Sequence, residues 1–122
     1  MVGSARSFRL GCVQMRMTDD PDRNLARAVQ GIREAAGRGA ALVCLPELFR
    51  TRYFCQREDA TCFDLAEPIP GPTTTILGAL AAELQITLVV SLFERRAPGL
   101  YHNTAVVLGP NGTEHGRYRK MH

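Results

Sequence analysis

No apolar stretch of this 122-residue chain approaches the ~20 residues that a membrane-spanning helix needs. None has the layout of a signal peptide either. Both absences point to a cytoplasmic protein with no membrane partner. Cysteine is sparse: there are four, with gaps of 31, 10 and 6 residues, a spacing that matches no zinc module with paired ligands. A disulfide scaffold is not expected. Cys12 and Cys44 fall in apolar strand-like runs, where a thiol should be buried and inert. The net charge of +3 comes mostly from scattered arginines, densest at Arg95-Arg96 and Arg117 to Lys120. A stripe of base with interleaved aromatics is missing, which argues against a nucleic-acid surface. No repeat, linker or low-complexity segment divides the chain, so one domain is expected.

What is present reads as an α/β unit. Phe8 to Gln14 has the character of a strand. Asp19-Asp20-Pro21-Asp22 then supplies a capping carboxylate, a first-turn proline and negative charge for a helix start. Leu25, Val29, Ile32 and Ala36 follow at helical spacing, and Gly37 and Gly39 stop the helix. Ala40 to Leu45 is an unbroken apolar run, the pattern of a strand covered on both faces. Strand, helix and strand in this order predict a parallel, right-handed βαβ unit.

An irregular segment from Phe49 to Pro72 leads to a second helix bearing Ile76, Leu77, Leu80 and Leu84, whose exit at Gln85 carries a small strain. Thr87 to Phe93 is the third strand, Arg95 to Gly99 a turn, and Tyr101 to Leu108 the fourth strand. Gly109-Pro110-Asn111-Gly112 is a hairpin signal, so Thr113 to Arg119 should return antiparallel and deliver Lys120.

Two strand-end groups of opposite charge therefore stand out. Pro46 ends the second strand and presents Glu47 where open α/β sheets place ligand crevices. Lys120 closes the fifth strand, 73 positions later. A glutamate in a partly dry pocket takes protons, and a lysine beside it holds developing negative charge. Position alone leaves open a solvated ion pair. Asn103 is expected to satisfy backbone groups, and Glu94 to pair with a nearby arginine.

The motifs around both groups narrow the reading. Leu42 to Phe49 (Leu-Val-Cys-Leu-Pro-Glu-Leu-Phe) and Gly116 to His122 (Gly-Arg-Tyr-Arg-Lys-Met-His) resemble the nitrilase superfamily of carbon–nitrogen hydrolases. Tyr53 to Gln56, Leu65 to Thr74, Ser91 to Arg96 and Leu100 to Val107 extend the resemblance over nearly the whole chain, toward the branch that cleaves N-carbamoylputrescine. The resemblance implies that Glu47 is the general base, that Lys120 stabilises the tetrahedral intermediate, and that a cysteine on a later strand is the nucleophile. No cysteine here matches that third position, although Cys55 and Cys62 lie in the segment that follows Glu47.

The expected fold is thus α/β. Residues 1–122 form the amino-terminal part of an αββα sandwich, a mixed sheet with two helices on one face, ending before the nucleophile. A small carbamoylated amine is the implied substrate, with Tyr53 and Phe54 either lining its channel or filling space below the loop. No metal or organic cofactor is implied, and a homo-oligomer is expected at full length. The rivals are another ureido or nitrile hydrolase, such as a β-ureidopropionase-like enzyme, and a non-catalytic interaction module using the sheet face left uncovered.

Overall fold

Asp20 fixes where the first helix begins. Its carboxylate accepts hydrogen bonds from the N–H groups of Asp22 and Arg23 at 3.0 and 3.4 Å, and Pro21 occupies the first turn. The computed structural model describes residues 6–51 and 60–121. Within them α1 spans Pro21–Gly37 and connects β1 (Arg9–Cys12) to β2 (Ala40–Cys44). The two strands pair in parallel, as the βαβ reading requires.

The buried stripe of α1 is centred one position off the apolar pattern. Asn24, Ala28 and Ile32 are fully buried, while Leu25, Val29 and Ala36 pack half-buried beside them. Asn24 can occupy the centre because both ends of its amide are bonded. Its Nδ2 donates to the carbonyls of Thr18 and Arg50, and its Oδ1 accepts from the Thr18 N–H and hydroxyl. A hydrophobic periodicity has no way to register such a residue.

After β2 the chain passes through a 3₁₀ turn (Ala60–Leu65) into α2 (Pro72–Leu84) and then β3 (Thr87–Ala97), which pairs in parallel with β2. Leu77 and Leu80 are buried as expected, but Ile76 stays 45% exposed. Thr73, Gly78 and Ala81 take the inner positions instead, and at Gly78 the helix comes hard against the turn at Gly109 to Gly112. A Cβ at Gly78 would lie 2.7 Å from the carbonyl oxygen of Gly112. The exit residue Gln85 adopts the left-handed conformation, with φ 55°.

β3, β4 (Leu100–Leu108) and β5 (Glu114–Arg119) pair antiparallel, completing the order β1-β2-β3-β4-β5. β3 runs past Phe93 to Ala97, since the partners Asn103, His102, Tyr101 and Leu100 continue its ladder. The turn expected from Arg95 to Gly99 is confined to Pro98-Gly99.

Both helices lie on one face, burying Ile32, Val43, Leu77, Leu88, Val90, Val106 and Leu108. The opposite face is open among the described residues: Leu10 is 57% and Tyr118 65% exposed. β2 is therefore covered on one side here, not on both as its unbroken apolar run predicted. Leu42 and Cys44 point to the open side and remain half-buried.

Candidate active site

The loop after β2 is built to hold one carboxylate outward. Pro46 ends the ladder, and the next residue but one, Leu48, takes a left-handed conformation with φ 50°. That conformation costs roughly 1–2 kcal/mol in a non-glycine residue. Burial offsets it: Leu48 is 2% and Phe49 0% exposed, and each such side chain contributes about 1.5–3 kcal/mol. With Leu48 and Phe49 anchored inward, Glu47 projects over the open face at the carboxyl end of β2.

Lys120 reaches the same point from the end of β5. Its Nζ stands 3.3 Å from Glu47 Oε1, and its backbone N–H donates to the Asn103 carbonyl at 2.9 Å. Both side chains keep nearly half their area in solvent. The structure thus brings together the two strand-end groups singled out from the sequence.

Asn103 joins them in a way the sequence did not reveal. Expected to serve backbone groups, its side chain instead donates from Nδ2 to Glu47 Oε1 at 2.6 Å. Its Oδ1 accepts from the Ser91 hydroxyl at 3.3 Å, and the Ser91 oxygen accepts the Leu48 N–H at 3.0 Å. The available signal was a serine and an asparagine interrupting the otherwise apolar open-face positions of adjacent strands. Beside them, Phe63, Phe93 and Tyr101 stack with ring centroids 4.6–6.1 Å apart. Phe93 is the direct cross-strand neighbour of Asn103, so this aromatic wall borders the polar cluster.

Behind the site, on the helix-covered face, Glu94 is 1% exposed. Its partners are not the adjacent Arg95 and Arg96 but Arg119, at 2.8 and 3.0 Å, with Thr104 at 2.8 Å and Arg117 at 3.5 Å. The hydrogen bonds from Arg119 hold the Glu94 carboxyl below its ordinary range, against the opposing effect of burial. Arg50 forms a second brace: it bonds Thr73 and Asp22 at 2.9 Å and Glu67 at 3.5 Å, tying the Glu47 loop to the starts of both helices.

Neither described thiol occupies a nucleophile's position. Cys12 and Cys44 are register partners across β1 and β2. Cys12 is exposed rather than buried as expected, because the open face has no cover. Burial pushes the Cys44 thiol up, and the neighbouring Cys12 adds to that, which disfavours a thiolate. Tyr53, Phe54 and Cys55 lie outside the described residues, as does the side chain of Cys62. A cleft of about 500 Å³ runs between β1 and α1 beside Arg9, Glu34 and Arg38, away from Glu47. No group of three or more His, Cys, Asp or Glu able to hold a metal ion occurs among the described residues.

Residues 9–122 match the sequence profile described as Carbon-nitrogen hydrolase. The chain belongs to this family. It is 36% identical to an N-carbamoylputrescine amidase of Solanum lycopersicum over 123 aligned residues, covering 100% of this chain and 41% of that protein. An omega-amidase of Homo sapiens is 39% identical, with coverage of 95% and 41%, and a nitrilase of Pyrococcus abyssi is 45% identical, with 84% and 38%. A carbon–nitrogen hydrolase of Helicobacter pylori superposes with a TM-score of 0.86 at 36% identity, over 93% of this chain and 39% of that one. The chain therefore spans about two-fifths of the length of the relatives it matches, and its sheet and two helices are those of the nitrilase fold.

Proposed function

We propose that this chain carries the acid–base half of a carbon–nitrogen hydrolase site, with Glu47 as general base and Lys120 as the donor that stabilises the tetrahedral intermediate. The observation that carries the reading is the 3.3 Å approach of Lys120 Nζ to Glu47 Oε1 at adjoining strand ends. The nucleophile is a cysteine supplied by the part of the family domain beyond these two-fifths. Its thiolate attacks the ureido or amide carbon, ammonia leaves, and water deprotonated by Glu47 hydrolyses the covalent intermediate. Resemblance to N-carbamoylputrescine amidases over the whole chain supports a carbamoylated amine as substrate. Carbamate released from it breaks down to carbon dioxide and putrescine, in cytoplasmic polyamine biosynthesis. Tyr53 and Phe54 are assigned to the substrate channel. The open sheet face supports packing on a second sheet and a homo-oligomer at full length.

An omega-amide is the second reading, favoured by the comparable identity to the human omega-amidase. Two preparations test both: the 122-residue chain, and a chimera in which it replaces the matching segment of the tomato amidase. Ammonia release is measured from N-carbamoylputrescine, an omega-amide and a nitrile. The chain alone is expected to be inactive, and the chimera to prefer N-carbamoylputrescine and to lose activity with Glu47→Gln or Lys120→Ala. A chimera still active with Glu47→Gln would falsify the assigned base.

A further inference from the structure

The contacts around Glu47 are lopsided. Asn103 Nδ2 and Lys120 Nζ both reach Oε1, at 2.6 and 3.3 Å, and among the described residues no hydrogen bond reaches Oε2. Two donors at Oε1 occupy its lone pairs, so the lone pairs of Oε2 are the ones left to face a proton donor. We infer that Asn103 is the positioning residue of Glu47, and that it divides the carboxylate into an anchored oxygen, Oε1, and a proton-accepting oxygen, Oε2. This rests on the reading of Glu47 as the base. In each cycle Oε2 takes the proton of the attacking thiol, leaving a thiolate, and returns it to the nitrogen that departs as ammonia.

What makes Asn103 suited to this is that its own orientation is set twice. The Leu48 N–H donates to Ser91 Oγ, so the Ser91 hydroxyl proton turns toward Asn103 Oδ1, at 3.3 Å. The amide nitrogen must then face Glu47, where a flipped oxygen would meet a carboxylate at 2.6 Å. Leu48 follows Glu47 in the chain, so the bonds form a closed circuit: Leu48 N–H to Ser91, Ser91 to Asn103, Asn103 to Glu47. The backbone of Asn103 is fixed as well, since its carbonyl accepts the N–H of Lys120 at 2.9 Å. One residue thereby aligns both halves of the pair, the carboxylate through its side chain and the lysine through its main chain.

The experiment follows the side-chain amide of Asn103 by nuclear magnetic resonance in the ¹⁵N-labelled 122-residue chain, assigned by its disappearance in Asn103→Leu. A charge-assisted bond places one of its two protons at low field. Glu47→Gln, at a half-exposed position that leaves the core untouched, is expected to move that proton upfield. Ser91→Ala is expected to move it part of the way. A resonance unchanged by Glu47→Gln overturns the anchoring role, and one unchanged by Ser91→Ala overturns the circuit that orients the amide. The signal reports anchoring whether or not an amide is hydrolysed. An inactive chimera with the signature intact counts against the hydrolase reading alone, whereas an active one without it counts against this inference alone.

Discussion

Glu94 and Arg119 form a two-point ion pair, at 2.8 and 3.0 Å, on the covered face one residue ahead of Lys120. The catalytic candidate and its brace are thus neighbours in sequence on opposite sides of one strand. Removing one partner of a buried pair leaves the other uncompensated, at a cost of about 3–5 kcal/mol when both are fully buried. The Arg119 side chain is 30% exposed, so solvent screens part of this. Glu94→Gln is expected to lower unfolding stability by roughly 2–3 kcal/mol, read from the urea midpoint at constant m-value.

The same carboxyl makes stability pH-dependent. Its value is lowered in the folded chain relative to the ordinary 4.5, chiefly by the Arg119 hydrogen bonds. Its stabilisation is therefore complete above that ordinary value and is lost as pH falls through the lowered folded one. Urea midpoints measured at decreasing acid pH should fall more steeply for the wild type than for Glu94→Gln. Parallel slopes would remove Glu94 from the account.

Glu47 and Lys120 should behave in the opposite way. An ion pair with both partners nearly half-exposed contributes about 0–1 kcal/mol. Lys120→Ala should leave the midpoint within roughly 0.5 kcal/mol of wild type, yet cost the chimera at least about 100-fold in kcat. Equal losses of stability and turnover would mark the lysine as structural.

Asn24→Leu strands the backbone groups of Thr18 and the carbonyl of Arg50. With four hydrogen bonds removed and buried polar groups left unpaired, a loss of about 2–4 kcal/mol is expected in thermal or urea unfolding. The Thr18 N–H should also lose its protection from hydrogen exchange, which reports the local break directly.

Gln85→Gly relieves a left-handed helix exit at φ 55°. The gain of roughly 1 kcal/mol is reduced by losing the amide bonds to the Ala82 and Pro110 carbonyls. A net rise of about 0.5 kcal/mol is expected, and a fall would show that those amide bonds outweigh the strain.

The sequence made the strands, the capped first helix and the convergence of Glu47 with Lys120 legible because each rests on local chemistry: Asp20 and Pro21 at a helix start, Pro46 after an apolar run, Gly109 to Gly112 at a hairpin. What stayed hidden depends on register. Asn103 could be matched to Glu47 only once β4 was known to lie beside β3 with Phe93 opposite Asn103. Glu94 faces Arg119 rather than Arg95 because alternation turns the adjacent arginine to the other face. Cys12 was expected inside because an apolar run does not state how many of its faces are covered.

The hairpin from Gly109 to Gly112 carries a consequence for the chemistry. Side chains alternate along β5, so slipping that strand by one residue would exchange Arg119 and Lys120 between faces. A guanidinium would then look toward Glu47, and the ammonium would be pressed against Glu94. Which cation Glu47 meets is therefore written in the length of the five-residue connection between β4 and β5, more than ten ångströms of strand away from it.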